Sequence, residues 1–238
     1  MNRERKNLVV LSGAGISRES GLQTFRDGDG LWEGYDVQQV ATPEAWERSP
    51  SLVRRFYDER RKAVLEAEPN LAHQVLVSLE ESFRVVIITQ NIDDLHERAG
   101  SSHVLHLHGE ILKAQSSVDA SLVYPIDGPH LSPSAVCQHG YPLRPHVVWF
   151  GEPVPMMEVA SAEAQKADIF VVVGTSLTVY PAAELIEHIP ATALLYCVDP
   201  VIPTLSARVA SRVKTIEEPA SRGLAQLKDI LALEVLHS

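Results

Sequence analysis

The feature that most constrains the fold is a set of short, uninterrupted apolar runs that end directly at glycine or polar turn residues. Residues 8–11, 85–89 and 169–173 are of this kind. A strand with one face in water alternates apolar and polar residues, so continuous runs are typical of strands covered on both faces, as in a parallel sheet. Further strands are predicted at residues 104–107, 147–150, 194–198 and, more weakly, 213–216.

Helical segments lie between these runs. Thr42 is a favourable N-cap, and Pro43 behind it suits the first position of a helix. The predicted helices cover residues 43–48, 52–66, 70–79, 95–99, 160–167, 181–188 and 222–233. Strands that alternate with helices predict an α/β fold, a Rossmann-like doubly wound parallel sheet.

Two regions interrupt this alternation. Residues 34–79 are predicted to be nearly all helical, and residues 113–142 contain four prolines with weak periodicity and are predicted to be irregular. We interpret them as two insertions that pack together as a smaller lobe of a single catalytic domain spanning 1–238. The large lobe is then approximately 1–33, 80–112 and 143–238, and the small lobe approximately 34–79 and 113–142.

Composition excludes several classes of function. Lys plus Arg total 21 and Asp plus Glu total 31, a formal charge of 21 − 31 = −10, which opposes general binding to nucleic acid. No apolar run approaches the length of a transmembrane helix, so we expect no membrane contact. The two cysteines, Cys137 and Cys197, do not form a disulfide framework. We expect a cytoplasmic protein that acts as a monomer.

The first strand leads into Gly13, Ala14, Gly15, Ile16 and Ser17. Glycines at this place let the backbone turn sharply and approach a phosphate, and a following helical turn offers free N–H groups. Arg18 stands where the dinucleotide fingerprint has its third glycine, which weakens an interpretation as a hydride-transfer enzyme. A tight turn without a ligand is the structural alternative.

Polar residues follow three other predicted strands. Ligands bind at the carboxyl ends of strands in open α/β sheets, so these turns should meet in one crevice. They comprise Gln90, Asn91, Ile92, Asp93 and Asp94 after the run at 85–89, Gly174, Thr175 and Ser176 after the run at 169–173, and Cys197, Val198 and Asp199 at the end of the run at 194–198. Asp93 or Asp94 could instead cap the helix at 95–99.

Two further features are candidates for chemistry. His106 and His108 are two apart, a spacing that could suit a metal or a general base, although a buried histidine with satisfied hydrogen bonds is the ordinary alternative. Thr24, Phe25 and Arg26 lie in a loop rich in Gly and Asp that Trp32 closes. Such a loop beside a phosphate site can act as a lid.

Taken together, these motifs resemble a sirtuin. The resemblance rests on Gly13 to Ser17, Thr24 to Arg26, Gln90 to Asp93, His108, Gly174 to Ser176 and the segment Val147, Val148, Trp149, Phe150, Gly151 and Glu152, in the order and spacing of the family. It implies an NAD-dependent protein lysine deacylase of the desuccinylase and demalonylase type found in bacteria. NAD is then consumed: His108 acts as general base, nicotinamide is released, and the acyl group leaves lysine as O-acyl-ADP-ribose.

The resemblance also implies the roles of individual residues. Gly13, Ala14, Gly15, Ser17, Thr24, Phe25, Arg26 and Trp32 would line the pyrophosphate and nicotinamide pockets, and Gln90, Asn91, Ile92 and Asp93 would hold the carboxamide and its ribose, with Asn91 and Asp93 assisting catalysis. Gly174, Thr175, Ser176, Cys197, Val198, Asp199 and Ala220 would contact the adenosine half. Val147 to Glu152 would pair with an acyl-lysine peptide as an added strand.

One pattern points to the acyl group. Tyr57 and Arg60 are three apart, so they share a helix face, and they resemble the pair found in sirtuins that remove succinyl and malonyl groups. Arg60 would offer a forked donor to a carboxylate and Tyr57 a hydroxyl. Ala41 matches a small residue that leaves room for a longer acyl chain. A surface arginine among four basic neighbours is the alternative.

The chain departs from the family at two places. Most sirtuins bind structural zinc with two cysteine pairs, but here Ser116 and Asp119 stand in the first pair and only Cys137 remains near the second, so we expect no zinc. Cys197 stands where the family usually has Asn. Two alternatives therefore stay open: a mono-ADP-ribosyltransferase, for which Tyr57 and Arg60 have no purpose, and an inactive NAD-binding sensor.

Overall fold

The computed structural model describes residues 5–23, 31–32 and 35–236, with the backbone alone for 31, 32 and 234–236. The strands are β1 (Asn7–Ser12), β2 (Leu31–Trp32), β3 (Tyr35–Asp36), β4 (Arg84–Thr89), β5 (Val104–His106), β6 (Gly109–Ser116), β7 (Val123–Pro125), β8 (Leu143–Val147), β9 (Ile169–Val173), β10 (Leu194–Val198) and β11 (Val213–Ile216). The helices are α1 (Val37–Val40), α2 (Pro43–Arg48), α3 (Pro50–Glu66), α4 (Leu71–Leu79), α5 (Leu95–Ala99), α6 (Met157–Ala164), α7 (Ala207–Ala210) and α8 (Ala220–Leu236). Short 3₁₀ helices cover Ala14–Ile16, Arg18–Ser20 and Ala182–Glu187.

A parallel sheet forms the large lobe, as the apolar runs predict. Its strand order is β11-β10-β9-β1-β4-β5, with every neighbouring pair parallel. Numbered along the chain within this sheet, the order is 3-2-1-4-5-6, the doubly wound arrangement of dinucleotide-binding folds. The chain reverses direction across the sheet between β1 and β9, so a crevice opens where these two strands end.

Both faces of this sheet are covered, which explains why its strands are apolar without interruption. Along β1, Leu8 and Val10 pack on one side with α4 and α8. Val9 and Leu11 pack on the other side with α6 and the 3₁₀ helix Ala182–Glu187. Alternate residues of a strand point to opposite faces, so both sets must be apolar.

The smaller lobe combines helices α1 to α3 with an antiparallel sheet of order β7-β6-β8. The expectation that residues 113–142 are irregular is wrong for the second half of β6 and for all of β7, which lie there, and holds for most of the remaining residues. The predicted strand at 147–150 is also wrong: β8 ends at Val147, and the chain then turns. Pro145 is tolerated within β8 because that strand is at the edge of its sheet.

Helix α4 lies on the large sheet. Ala72, Leu76 and Leu79 pack in the same cluster as β1 and α8. The Asn70 side chain caps this helix by accepting from the Ala72 N–H at 2.8 Å. The predicted boundary of the small lobe at residue 79 therefore falls beyond a helix that packs with the large lobe. None of the described helices is long and apolar enough to cross a bilayer.

Candidate functional site

A cavity of about 710 Å³ lies between the carboxyl edge of the parallel sheet and the small lobe. The structure brings most of the predicted site residues to its wall. They are Gly13, Ala14, Gly15, Ser17, Ala41, Tyr57, Arg60, Gln90, Asn91, Ile92, Asp93, His108, Val147, Val148, Trp149, Phe150, Gly151, Glu152, Gly174, Thr175, Ser176, Val198, Asp199 and Ala220.

Five predicted residues are not part of this wall as described. Thr24, Phe25 and Arg26 lie outside the described residues, and of Trp32 only the backbone is described. The Cys197 side chain is 1% exposed and packs in the cluster on the α6 face of the sheet. Its neighbour Val198 points to the opposite face, because strand side chains alternate. The structure thus places the Cys197 side chain away from the cavity, and its assignment to cofactor binding stays a prediction.

The glycines of the crevice are required by the approach of two backbones to each other. The Gly13 N–H donates to Val173 O at 3.0 Å, and the Gly15 N–H donates to Gly174 O at 2.8 Å. A Cβ on Gly15 would lie 2.6 Å from Gly174 Cα, and one on Gly174, where φ is +64°, would lie 2.4 Å from Ile16 N. The turns after β1 and β9 are thus in backbone contact, and they form the floor of the cavity.

Ser17, Asn91 and Asp93 form a buried hydrogen-bonded cluster beside this floor. The Ser17 hydroxyl donates to Asp93 Oδ2 at 3.0 Å and accepts from Asn91 Nδ2 at 3.1 Å. Asp93 Oδ1 accepts from the Leu95 N–H at 3.1 Å, so Asp93 fulfils the helix-capping alternative as well. Burial raises the pKa of the Asp93 carboxyl, although both donors oppose the rise. These groups are fixed in place before any ligand arrives.

His108 is held in one tautomer by the backbone. Its Nδ1 lies 3.0 Å from Gln90 O, and a carbonyl can only accept, so Nδ1 carries the proton and Nε2 has the lone pair. Burial lowers the pKa of His108, and the bond to Gln90 offsets this in part. The Gln90 side chain continues across the floor and donates to Thr175 Oγ1 at 3.0 Å. The imidazole is therefore neutral near pH 7 and suited to accept a proton.

His106 has a different role from His108. Its Nδ1 lies 3.1 Å from Asn91 O and its Nε2 lies 2.7 Å from the Glu97 carboxylate, so both ring nitrogens face acceptors. Burial alone would lower the pKa of His106, but the Glu97 carboxylate and the Asn91 carbonyl raise it. His106 does not line the cavity. It holds the backbone of Asn91 in place from outside.

At the small-lobe end of the cavity, Tyr57 and Arg60 lie on one face of α3 as their spacing predicts. Tyr57 is fully buried and Arg60 is 5% exposed. Arg60 Nη1 donates to Phe56 O at 3.0 Å, and its guanidinium carbon lies 3.7 Å from the centre of the Phe56 ring. Ala41 lines the same end. A largely buried guanidinium is thus part of the cavity wall, and a guanidinium makes charge-assisted hydrogen bonds to a carboxylate.

The segment from Val147 to Glu152 forms one rim of the cavity. The N–H groups of Val148 and Phe150 donate to His108 O at 2.9 Å and to Ala41 O at 3.0 Å. Those of Trp149 and Glu152 also donate within the segment. A peptide added as a strand would therefore meet mainly carbonyl groups here. The rim also ties His108, on the large lobe, to Ala41, on the small one.

Several residues of the site have no signal in the motifs. Arg18, Glu19, Ala63, Val64, Ile111, Val179, Tyr180 and Val201 also line the cavity. Glu19 fixes the start of α8, because its carboxylate accepts from the N–H and the hydroxyl of Ser221. Periodicity along α3 could have suggested Val64, one turn beyond Arg60. The same periodicity applies to Ala63, and Arg18 and Glu19 directly follow the turn at 13–17, whereas Ile111 is brought to the cavity by the tertiary fold.

An apolar cluster surrounds Cys137, in the region where the resemblance would place the zinc cysteines of other sirtuins. Cys137 is 3% exposed and packs with Ala114, Leu131 and Leu143. A hydrogen bond with Ser116 lowers the pKa of its thiol. Within the described part of the chain, no three His, Cys, Asp or Glu side chains are grouped as metal ligands. Freedom from zinc stays a prediction.

Known proteins resemble this chain over most of its length. A family model described as the Sir2 family matches residues 13–181. An NAD-dependent protein deacylase of Bacteroides thetaiotaomicron is 48% identical over 233 residues, covering 95% of this chain and 98% of that protein. One of Aggregatibacter actinomycetemcomitans is 54% identical over 192 residues, covering 81% and 92%. A solved Sir2 homologue in complex with NAD has a TM-score of 0.86 at 34% identity and covers 97% of this chain and 91% of its own.

Proposed function

This chain belongs to the Sir2 family, the sirtuins, and from that premise we propose that it is an NAD-dependent protein deacylase that prefers succinyl- and malonyl-lysine to acetyl-lysine. The deacylase activity is that named for relatives about half identical to it. The observation that supports the acyl preference is the placement of Arg60 and Tyr57 in the wall of the cavity that also contains His108 and Asn91.

The residues of the sheet edge fit NAD. A dinucleotide needs close backbone approach at its pyrophosphate and polar partners at its riboses. The turns at Gly13–Gly15 and Gly174 supply the first, and the buried Ser17, Asn91 and Asp93 cluster supplies the second. When bound, NAD supplies the electrophilic ribose that takes over the acyl group.

His108 is assigned as the general base. Its Nε2 has the lone pair because Nδ1 donates to Gln90 O, and this bond also fixes the ring plane. A base must be unprotonated, so activity is lost as pH falls through its pKa. Because burial lowers the pKa of His108, we expect the acidic limb of kcat/KM to lie below about pH 6.5, the ordinary value for histidine. A limb well above that pH would contradict this assignment.

Arg60 and Tyr57 are assigned to the carboxylate of the acyl group. A succinyl or malonyl group ends in a carboxylate, and an acetyl group does not. Arg60 is 5% exposed and lines the cavity, so a carboxylate that enters can form short charge-assisted hydrogen bonds with its guanidinium. Ala41, which is 2% exposed, leaves space for the longer chain.

The remaining expectations are part of the same proposal. The substrates are acyl-lysine proteins or peptides, which reach the cavity along the rim at Val148 and Phe150. The formal charge of −10 disfavours nucleic acid as a partner. We propose that the enzyme acts as a monomer in the cytoplasm.

The test uses purified protein, NAD and matched acetyl-, malonyl- and succinyl-lysine peptides, with products followed by mass spectrometry. We expect faster loss of succinyl than of acetyl. Arg60→Met should lower kcat/KM for succinyl by about 10- to 100-fold, as for the loss of a charge-assisted hydrogen bond. Arg55→Met, on the exposed face of the same helix, is the matched control and should change nothing.

Other outcomes separate the alternatives. Removal of acetyl alone would keep the deacylase and reject the role of Arg60 and Tyr57. His108→Ala should abolish all turnover, and a variant that still deacylates would refute the general base. No turnover of any peptide by the wild-type protein, with NAD still bound, would favour a sensor or an ADP-ribosyltransferase.

A further inference from the structure

The hydroxyl of Tyr57 has its hydrogen-bond direction decided by a neighbour. Trp149 Nε1 lies 3.0 Å from Tyr57 Oη. An indole N–H can donate but not accept, so the Tyr57 oxygen is the acceptor in this bond. The Tyr57 proton must then point away from Trp149. A phenylalanine at position 149 would keep an aromatic ring in this place but would leave the direction of the Tyr57 hydroxyl undefined.

Trp149 is itself held between two other side chains. The guanidinium carbon of Arg144 lies 4.0 Å from the centre of the Trp149 ring, a stacked cation–π contact. The Trp46 ring lies 5.9 Å away, tilted by 37°. Trp149 is 3% exposed. The indole is therefore fixed in plane as well as in position, which keeps its N–H aimed at Tyr57.

Arg144 is in turn fixed by a carboxylate and an amide. Its Nη2 lies 2.6 Å from Glu152 Oε1, and Glu152 Oε2 accepts from the Trp149 backbone N–H at 2.8 Å. The Gln115 amide oxygen, oriented toward Arg144, accepts from Nη2 at 2.6 Å and from Nε at 3.1 Å. Glu152 thus binds both the Arg144 guanidinium, which stacks on the Trp149 indole, and the backbone N–H of Trp149 itself.

From this geometry we propose that Trp149, held by Arg144 and Glu152, is a specificity-determining residue that keeps Tyr57 as a hydrogen-bond donor toward the carboxylate of the acyl group. Arg144 is a positioning residue that acts through Trp149. This inference rests on the proposed preference for succinyl and malonyl groups. It adds a donor whose direction is set by the protein before substrate binds.

The electrostatics of Tyr57 agree with a donor role. Burial is the main cause that raises the pKa of the Tyr57 phenol, so the hydroxyl keeps its proton at any physiological pH. A neutral donor and the cation of Arg60 lie on one face of α3, three residues apart. Together they can approach the two oxygens of one carboxylate. An acetyl group presents no such acceptor, so the arrangement discriminates between acyl groups and leaves the common chemistry alone.

The test is a double-mutant cycle on the ratio of kcat/KM for succinyl to that for acetyl peptides. Trp149→Phe should lower this ratio about tenfold, as expected for one misaligned hydrogen bond to a charged group. In the Tyr57→Phe background it should lower the ratio no further. The loss should appear in KM for the succinyl peptide, because the contact is made equally before and during the chemical step.

Two more variants complete the design. Arg55→Met, at an exposed arginine of α3, is the matched control for Arg144→Met and should leave the ratio unchanged. Arg144→Met should lower the ratio in the same direction as Trp149→Phe, again with no further loss in the Tyr57→Phe background. Additive effects of Trp149→Phe and Tyr57→Phe, or an unchanged ratio, would overturn the proposal. A wild-type protein without succinyl preference would instead refute the proposed function on which it rests.

Discussion

The two ends of the cavity are built by different physical means. The nucleotide edge (residues 13–17, 90–93 and 174–176) consists of glycines and short polar side chains that follow strand ends. The α3 side consists of Tyr57, Arg60 and Trp149 in the cavity wall and of Asp58, Arg61 and Arg144 outside that wall. Apart from Asp58, these are long cationic or aromatic side chains, and all of those are buried. Backbone sterics determines the shape of the first region. On the α3 side, the arrangement of the side chains is determined by the need to pair buried charges.

This difference determines which kind of substitution should destabilise each region. At the nucleotide edge, added volume is harmful because backbone faces backbone. On the α3 side, loss of a partner is harmful because a charge is left in a site without water. Substitutions that separate these two causes can therefore break or sharpen the comparison.

The largest effect is expected for Gly174→Ala. The new Cβ would lie 2.4 Å from Ile16 N and 2.7 Å from Gly15 C, at a φ of +64°. Overpacking and an unfavourable φ together should cost about 3 kcal/mol or more of unfolding free energy and abolish NAD binding. Gly140→Ala is the control, since φ is +80° there but nothing lies within 4 Å of the new Cβ. It should cost only about 1 kcal/mol. Equal losses in urea unfolding would show that φ, rather than backbone contact, explains Gly174.

The next effect tests the buried charge on the α3 side. Arg61 is completely buried, pairs with Asp58 at 2.6 Å, and donates to Ile111 O and Pro129 O at 2.7 and 3.0 Å. Arg61→Met should cost about 3 kcal/mol, because Asp58 loses its cation and two carbonyls lose a donor. Arg55→Met, exposed on the same helix, should cost almost nothing.

The partner residue makes this test sharper. Asp58→Leu combined with Arg61→Met removes both charges, so the double variant should be more stable than the sum of the two single losses predicts. Simple additivity in thermal or urea unfolding would show that Arg61 acts by packing alone.

The same contrast explains what the sequence could and could not predict. The strands at 169–173, 194–198 and 213–216 were predicted with the bounds that the structure has, because a strand buried on both faces leaves a local signal. The nucleotide edge follows directly, since its residues come just after such strands. Strand β6 was missed because its two partner strands contain prolines, Pro125 in β7 and Pro145 in β8, and therefore give little local strand signal.

Residues of the α3 side show more clearly what cannot be predicted from the sequence. Tyr57 and Arg60 were predicted through their spacing and a family resemblance. Arg61 is adjacent to Arg60 and is the more buried of the two, yet sequence gives no reason to separate it from its four basic neighbours. Its partners, Ile111 and Pro129, are 50 and 68 residues away in the chain. Only tertiary structure brings them together.

A smaller effect is expected for the ion pair of His106 and Glu97, which lies outside the cavity and supports the nucleotide edge through Asn91. His106 and Glu97 are 2.7 Å apart, but the Glu97 side chain is 42% exposed, so water screens the pair. The raised pKa of His106 adds stability that is present below its ordinary value and lost as pH rises through the raised one. The lowered pKa of Glu97 adds stability that is lost as pH falls through that lowered value. Glu97→Gln should therefore cost at most about 1 kcal/mol near pH 6, and less at pH values above the raised pKa of His106.

The measurement is the difference in unfolding free energy between wild type and Glu97→Gln across this range of pH. Glu68→Gln, which changes another exposed carboxylate, is the control and should show no such pH dependence. A cost of Glu97→Gln as large as that of Arg61→Met would contradict the distinction between a screened and a buried ion pair.

The smallest effect is expected from a chelator. If the Arg61–Asp58 pair and packing hold the small lobe together, EDTA should leave the Tm of the wild-type protein unchanged. Denaturing the protein in acid should then release no zinc. Cys137 lies among Ala114, Leu131 and Leu143, so it should behave as a small apolar residue. Cys137→Ala should then cost about 1 kcal/mol from lost packing, equally with and without EDTA. A fall in Tm on adding EDTA that Cys137→Ala removes would mean that a metal ion organises this lobe, and the buried ion pair would no longer explain how the α3 side is held in place.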